Sequence, residues 1–270
     1  MYEAPLIKYP RTPHLAGSRL QPGDEDLSQV PFSALAGRHV VVEEKVDGAN
    51  TAVSFDRDGA LLLQSRGHYL TGGYRERHYD LFKQWAAIHR DALYGVLGSR
   101  YILYGEWLYA KHTVYYDRLP HYFLEFDVLD RETGDFLSTH RRRALLRELP
   151  VASAPVLAEG TLEGPEALMS LLGPSRFISP GKTEALRAAS VKLGLDPDRQ
   201  CRETDASDAM EGLYIKVEEN GRVVERLKYV RATFTQTVEA AQSHWLDRPI
   251  VPNGLAVPLE ALFAPALPGR

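Results

Sequence analysis

Asn220-Gly221 constrains this chain more than any other feature. Asparagine followed by glycine is the strongest two-residue hairpin signal, because both residues accept the positive φ of a turn that matches strand twist. Before it, Leu213, Ile215 and Val217 alternate with Tyr214, Lys216 and Glu218, the period of a half-buried strand. After it, Arg222 to Val230 returns as the partner. Parity places Leu213, Ile215 and Val217 on one face, with Val223, Leu227 and Tyr229 matching them across the pair. Lys216, Arg226 and Lys228 then gather on the opposite face. Three like charges side by side repel. Two arrangements tolerate them: a polyanion such as a triphosphate bound across them, or a solvated face with Glu218 as partner.

Antiparallel pairing recurs along the chain. Val40, Val41 and Val42 open a β-branched stretch that runs to Val46 and breaks at Gly48. Thr51 to Phe55 and Ala60 to Gln64 form a second hairpin across Asp56-Arg57-Asp58-Gly59. Tyr101 to Trp107 and Tyr122 to Leu129 read as buried, aromatic-rich strands. Between these, Phe82, Trp85, His89, Leu93 and Val96 recur at helical spacing within Tyr74 to Leu97, and Gly98 is a stop. Leu145, Leu146 and Leu149 lie on a short basic helix that Pro150 ends. From Pro155 to Ala209 the pattern is mostly helical and polar, with Pro165 at one helix start and Gly181 before another. The expectation is an α+β domain, mainly antiparallel sheet with flanking helices.

Composition narrows the function classes. A hydrophobic share of 44% is enough for a proper core, so a disordered tail is excluded. No apolar run reaches the ~18 residues of a membrane span. The N-terminus lacks a signal peptide's apolar stretch, so a cytoplasmic location without membrane attachment is expected. Cys201 is the single cysteine, which rules out an internal disulfide framework and a four-cysteine zinc site. With 32 basic against 36 acidic residues the net charge is −4, so any contact with nucleic acid must be local.

The residues that carry chemistry sit at strand ends. Lys45-Val46-Asp47-Gly48 closes the first strand, and Glu106 lies at the end of an otherwise apolar one. Glu211-Gly212 opens the late hairpin, and Arg226-Leu227-Lys228 lies on its return. In order the chain carries Lys45-x-Asp47-Gly48, Ser65-Arg66-Gly67, Gly105-Glu106, Phe123-x-x-Phe126-Asp127, Glu211-Gly212-x-x-x-Lys216 and Leu227-Lys228. This series resembles the covalent nucleotidyltransferase superfamily of DNA ligases, RNA ligases and capping enzymes. It is most similar to the ATP-dependent RNA ligases of the RNA ligase 2 type, over Val40 to Arg231.

The resemblance implies a ligase adenylation domain in which Lys45 attacks the α-phosphate of ATP and becomes a lysyl-adenylate. Lowering a lysine pKa from ~10.4 to near 7 takes ~4–5 kcal/mol. Partial burial, a nearby divalent cation and the charges of Lys216 and Lys228 are expected to act in that direction. It also implies that Lys216, Lys228 and Arg66 hold the ATP phosphates during catalysis. Glu106 would accept from the ribose hydroxyls, Phe126 would stack on adenine, Asn50 would lie near the α-phosphate, and Glu44 would join the nucleotide site. Asp47 and Glu211 would organise Mg²⁺ or Mn²⁺, largely through water. The family's last motif often has two lysines one residue apart; here Lys228 stands alone, and Arg226 or Arg231 is left to supply the second charge.

The implied reaction is ligation of RNA 5′-phosphate and 3′-hydroxyl ends, as in RNA repair, with an end-healing kinase or phosphatase as an accompanying enzyme. Three rivals stand beside it: a small DNA ligase, a GTP-using capping enzyme, and a nucleotide-binding module without ligation. The first two usually add an oligonucleotide-binding fold, for which about forty residues after Lys228 are too few. Residues 1–235 are thus expected to form the nucleotidyltransferase domain with an N-terminal arm, and 236–270 a short helix and proline-rich tail. Lys8, Arg11 and Arg19 on the arm are placed either to reach substrate or pyrophosphate or to brace the sheet. His140-Arg141-Arg142-Arg143 reads as a solvated helix end rather than an RNA contact, and His112 to Tyr116 as candidate lining of the site.

Overall fold

Asn220 and Gly221 both take positive φ, 53° and 76°, and reverse the chain into the expected hairpin. The structure, a computed structural model, describes residues 5–20, 24, 27–234 and 248–264. The helix expected after residue 235 therefore lies mostly outside the described residues.

The strands, in chain order, begin with β1 (His14–Leu15), β2 (Gln29–Val30), β3 (Val40–Lys45), β4 (Ala49–Phe55), β5 (Leu61–Ser65) and β6 (Tyr101–Trp107). They continue with β7 (Phe123–Asp130), β8 (Phe136–Leu137), β9 (Ala152–Ser153), β10 (Val156–Gly160), β11 (Gly212–Glu219) and β12 (Arg222–Val230). Helices α1 (Asp80–Ile88), α2 (Arg90–Leu97), α3 (Thr139–Leu146), α4 (Pro165–Met169), α5 (Lys182–Lys192) and α6 (Pro197–Arg202) flank them. The main path of the sheet is β10-β3-β11-β12-β8-β7-β6-β4-β5, antiparallel throughout. In the main path, two-residue β8 joins a half built on the late hairpin to a half built on the early one. Each half buries one face in its own apolar core. Val40, Val42, Leu213, Ile215, Val217 and Leu227 form one; Val53, Phe55, Phe82, Trp85, Leu103, Trp107 and Phe123 form the larger. The remaining faces carry the polar residues, and side chains from β11 and β12 reach Asp127 on β7 across them.

Three departures from the sequence reading matter for the site. Residues 156–160, expected within a helical region, are a strand that pairs with β3 through Gly160↔Val40 and Glu159↔Val41. It covers the outer edge of the strand that ends in Lys45. The expected helix over 74–97 is a 3-10 turn, Tyr74–Tyr79, followed by α1 and α2, with a break at His89, whose ring bonds the carbonyl of Leu262 at 2.9 Å. Arg142, expected on a solvated helix end, is fully buried: its guanidinium meets Glu43 at 2.6 Å and Glu125 at 3.1 Å. No helix among the described residues is long and apolar enough to cross a membrane.

Candidate functional site

Lys45 is the last residue of β3, and the pairing Gly212↔Lys45 sets Glu211 beside it. Its ammonium donates to Glu211 at 2.6 Å while the side chain stays 21% exposed. Gly212 is required for this approach: a Cβ there would lie 1.9 Å from the Tyr229 carbonyl oxygen. Glu106 stands opposite Asn50 on the neighbouring strands, so the two side chains share a face. Its carboxylate accepts the Gly48 N–H, and a Cβ on Gly48 would press on Glu106 Cγ at 2.9 Å and the Trp107 carbonyl at 2.7 Å.

One ammonium is thus surrounded by three carboxylates, and the electrostatics follow. Burial pushes Glu106 up to about 8, with Lys45 opposing and Glu211 and Asp47 adding to the rise. Burial also pushes Glu211 up to about 7, against Lys45 and with Asp47. For Lys45, burial acts downward, but Glu211, Glu106 and Asp47 outweigh it and hold the pKa above the usual lysine value. This reverses the sequence expectation of a lowered lysine. The charges next to Lys45 are acids, and Lys216 spends its own charge elsewhere.

Asp47 anchors the loop after β6. Its Oδ2 accepts from the N–H groups of Thr113 and Val114 at 2.7 and 2.8 Å, its own N–H donates to Tyr116 Oη at 2.8 Å, and His112 Nδ1 lies 3.8 Å from Oδ1. Asn253, which no motif marks, braces that loop by accepting from Tyr116 N–H at 3.0 Å and donating to the Leu108 carbonyl at 2.7 Å. No group of three or more His, Cys, Asp or Glu among the described residues makes a ready metal cage. Yet three carboxylates around one ammonium, Glu211, Asp47 and Glu106, fit a divalent cation that keeps several waters.

The cations predicted from the hairpin do share one face, through the pairs Lys216↔Arg226 and Tyr214↔Lys228. The solvated arrangement does not hold. Each cation has a buried acid. Lys216 is fully buried and its ammonium meets Glu43 at 2.8 Å, Asp127 at 3.2 Å and the Phe126 carbonyl. Arg226 donates to Asp127 at 2.9 Å, and its guanidinium lies 3.7 Å from the centre of the Phe136 ring. Glu218, the partner expected in the solvated case, accepts instead from Thr139 at 2.6 Å. Lys228 donates to Asp24, which also meets His14 Nε2 at 3.1 Å. Burial lowers the Lys228 pKa against that bond. Arg231 turns away, donating to the Met210 carbonyl and pairing with Asp205, so Arg226 is the second cation of this face.

The other predicted residues scatter. Phe126, half-buried, packs edge-on against Tyr9 with ring centres 5.1 Å apart. Glu44 lies on the opposite face from Lys45 and accepts from Ser175 Oγ at 2.5 Å and the Arg176 N–H at 3.4 Å. Arg66 is exposed in the turn after β5 and lines an open cleft with Lys8 and Arg11.

A family model described as RNA ligase matches residues 38–230. Among solved structures, a Naegleria gruberi RNA ligase mutant with ATP and Mn superposes with a TM-score of 0.52 at 16% identity, covering 87% of this chain and 59% of that one. An apo mutant of the Naegleria gruberi ligase gives 0.53 at 17% identity, covering 86% and 58%. At these identities the likeness is one of fold, and the chain spans less than two thirds of either structure's length. None of the curated proteins matches the chain.

Proposed function

The chain belongs to the RNA ligase family, and from that premise we propose that it joins RNA ends in an ATP-dependent reaction through a lysyl-adenylate on Lys45. The observation that carries the reading is the Lys45 ammonium, partly exposed at a strand end and enclosed by Glu211, Glu106 and Asp47. The Naegleria gruberi ligase solved with ATP and Mn supports a nucleotide and a divalent cation as what such a site takes.

In the proposed first step the Lys45 nitrogen attacks the α-phosphorus of ATP, the bond to the bridging β-phosphate oxygen breaks, and pyrophosphate leaves. Before attack the ammonium gives up a proton, and Glu211, in contact with it and pushed up to about 7, is placed to take it. A divalent cation near Asp47 and Glu211 would add positive charge beside Lys45 and lower its hold on the proton. AMP then passes to an RNA 5′-phosphate, and a 3′-hydroxyl displaces it to form the phosphodiester. Ends of other chemistry would need a kinase or phosphatase first.

Lys228 is assigned to the triphosphate, Glu106 and Asn50 to the ribose and α-phosphate side, and Phe126 to the base; Arg66, exposed in the turn after β5, is not placed with them. Lys216 is assigned differently from its expected catalytic role. With Glu43, Asp127 and a carbonyl on its ammonium, it fixes β11 to β7 and sets the backbone of Phe126. Incubation with α-labelled ATP and Mg²⁺ or Mn²⁺, followed by a denaturing gel, tests the reading. Label is expected on the wild type and none on Lys45→Ala; an unlabelled wild type or an undiminished variant overturns it.

A further inference from the structure

Residues 5–13 lie outside the matched family segment, yet they cross the polar face of the site and are tied to both halves of the sheet. The Ile7 carbonyl accepts from Gln64 and from Tyr104 Oη, each at 2.9 Å, on the early half. Tyr9 Oη meets Asp127 and, at 2.6 Å, Tyr214 Oη; the Pro13 carbonyl accepts from Lys228 N–H at 3.0 Å on the late half. With Tyr9 buried, its neighbour Lys8 is left exposed. Between this arm and the turn after β5 opens a cleft of about 570 Å³, lined by Lys8, Tyr9, Pro10, Arg11, Arg66 and Gly67. Three of the six are cations and none is an acid. Arg11 reaches Asp24 at 3.5 Å, whereas Lys8 and Arg66 have no ion pair among the described residues. The volume falls within the ~300–1,000 Å³ of ordinary ligand sites, more than a lone phosphate fills.

Resting on the RNA ligase reading, we infer that this cleft holds the phosphodiester backbone of the RNA, with Lys8 from the arm and Arg66 from the turn against its phosphates. On a chain of net charge −4, an acid-free basic cleft is where a polyanion meets least repulsion. The lining offers charge and no constellation of hydrogen-bonding side chains for base edges, so it positions a strand without reading its sequence. The triphosphate of ATP is assigned instead to Lys45 and Lys228, whose charges act on each other.

Fluorescence anisotropy with a short 3′-fluorescein RNA bearing a 5′-hydroxyl, without ATP, separates binding from chemistry. Lys8→Glu is expected to weaken binding about five- to tenfold at moderate salt and to lower the slope of log Kd against log salt by about 1, with Lys8→Arg restoring both. Unchanged affinity and slope overturn the inference. So does a raised KM for ATP in self-labelling with RNA binding intact, which marks a triphosphate site instead. A wild type that labels with ATP but binds RNA without salt dependence sinks the cleft and leaves Lys45 standing. A wild type that binds this RNA through Lys8 but never labels sinks the ligation reading instead.

Discussion

Two clusters of charge lie on the polar face of the sheet, built from the same residue types and opposite in consequence. In the deeper one Glu43, Glu125 and Asp127 meet Arg142, Lys216 and Arg226, three against three, on five different elements. In the other Asp47, Glu106 and Glu211 surround Lys45, three against one. Burial acts on both clusters, and in the balanced one it still raises Glu125 against Arg142. Burial alone would raise Asp127, but Lys216, Arg226 and Arg142 outweigh it and hold the carboxyl at about 2. Around Glu106 a single ammonium does not suffice, and burial prevails. The balanced cluster is a fastener between the two halves of the sheet; the unbalanced one has an unmet demand for positive charge. The proposed chemistry uses the second kind, and the first kind fastens the sheet that carries it.

Breaking the balance in the fastener is expected to have the largest effect. Arg142→Met removes a cation that contacts all three acids and leaves buried carboxylates uncompensated. Loss of one partner from a buried ionic group costs about 3–5 kcal/mol. Urea unfolding followed by tryptophan fluorescence should show that loss as a lower midpoint. A change within about 1 kcal/mol would mean that apolar packing alone holds the halves together, and the comparison would fail.

Arg142 also shows where sequence reasoning stops. The hairpins, the apolar strand faces and the strand-end positions of Lys45, Glu106 and Glu211 were legible because each is set by local period and turn chemistry. His140-Arg141-Arg142-Arg143 has the local look of a solvated run, and only what lies across space decides that its third member is buried among acids. The same holds for Asp24, which satisfies Lys228 from some two hundred residues away in sequence. Strand β10 was missed because Val156-Leu157-Ala158-Glu159-Gly160 has no clean alternation, and a bulge in its pairing with β3 explains why. The acids around Lys45 were hidden for a related reason: the pattern shows nearby cations and gives no sign that acids neutralise them.

The acid limb of stability sharpens the same contrast by an intermediate amount. Asp127 has a folded pKa of about 2, below the ~3.9 of an unfolded aspartate, so the folded state binds its proton less readily. Its contribution is therefore present above about pH 4 and is lost as pH falls toward 2, on the order of 2 kcal/mol in all. Unfolding midpoints measured between about pH 5 and pH 2 should fall accordingly. Asp127→Asn should start lower and flatten that limb; an unflattened limb would place the lost protons on other carboxylates.

Glu211→Gln should move stability least and chemistry most. The substitution takes one negative charge out of a cluster that has two in excess, while Glu106 and Asp47 remain to accompany the Lys45 ammonium. The amide keeps the volume and can still accept a hydrogen bond from Lys45, so the unfolding midpoint without divalent cation should stay within about 1 kcal/mol of wild type. Self-labelling with ATP should nevertheless fall by about 10²-fold, because the variant loses both the proton acceptor in contact with the nucleophile and an oxygen ligand for the cation. If Glu211→Gln unfolded as readily as Arg142→Met, the Lys45–Glu211 pair would be a second fastener. Stability and labelling could then no longer be assigned to separate clusters, because a pair needed to hold the fold cannot also be opened at each turnover.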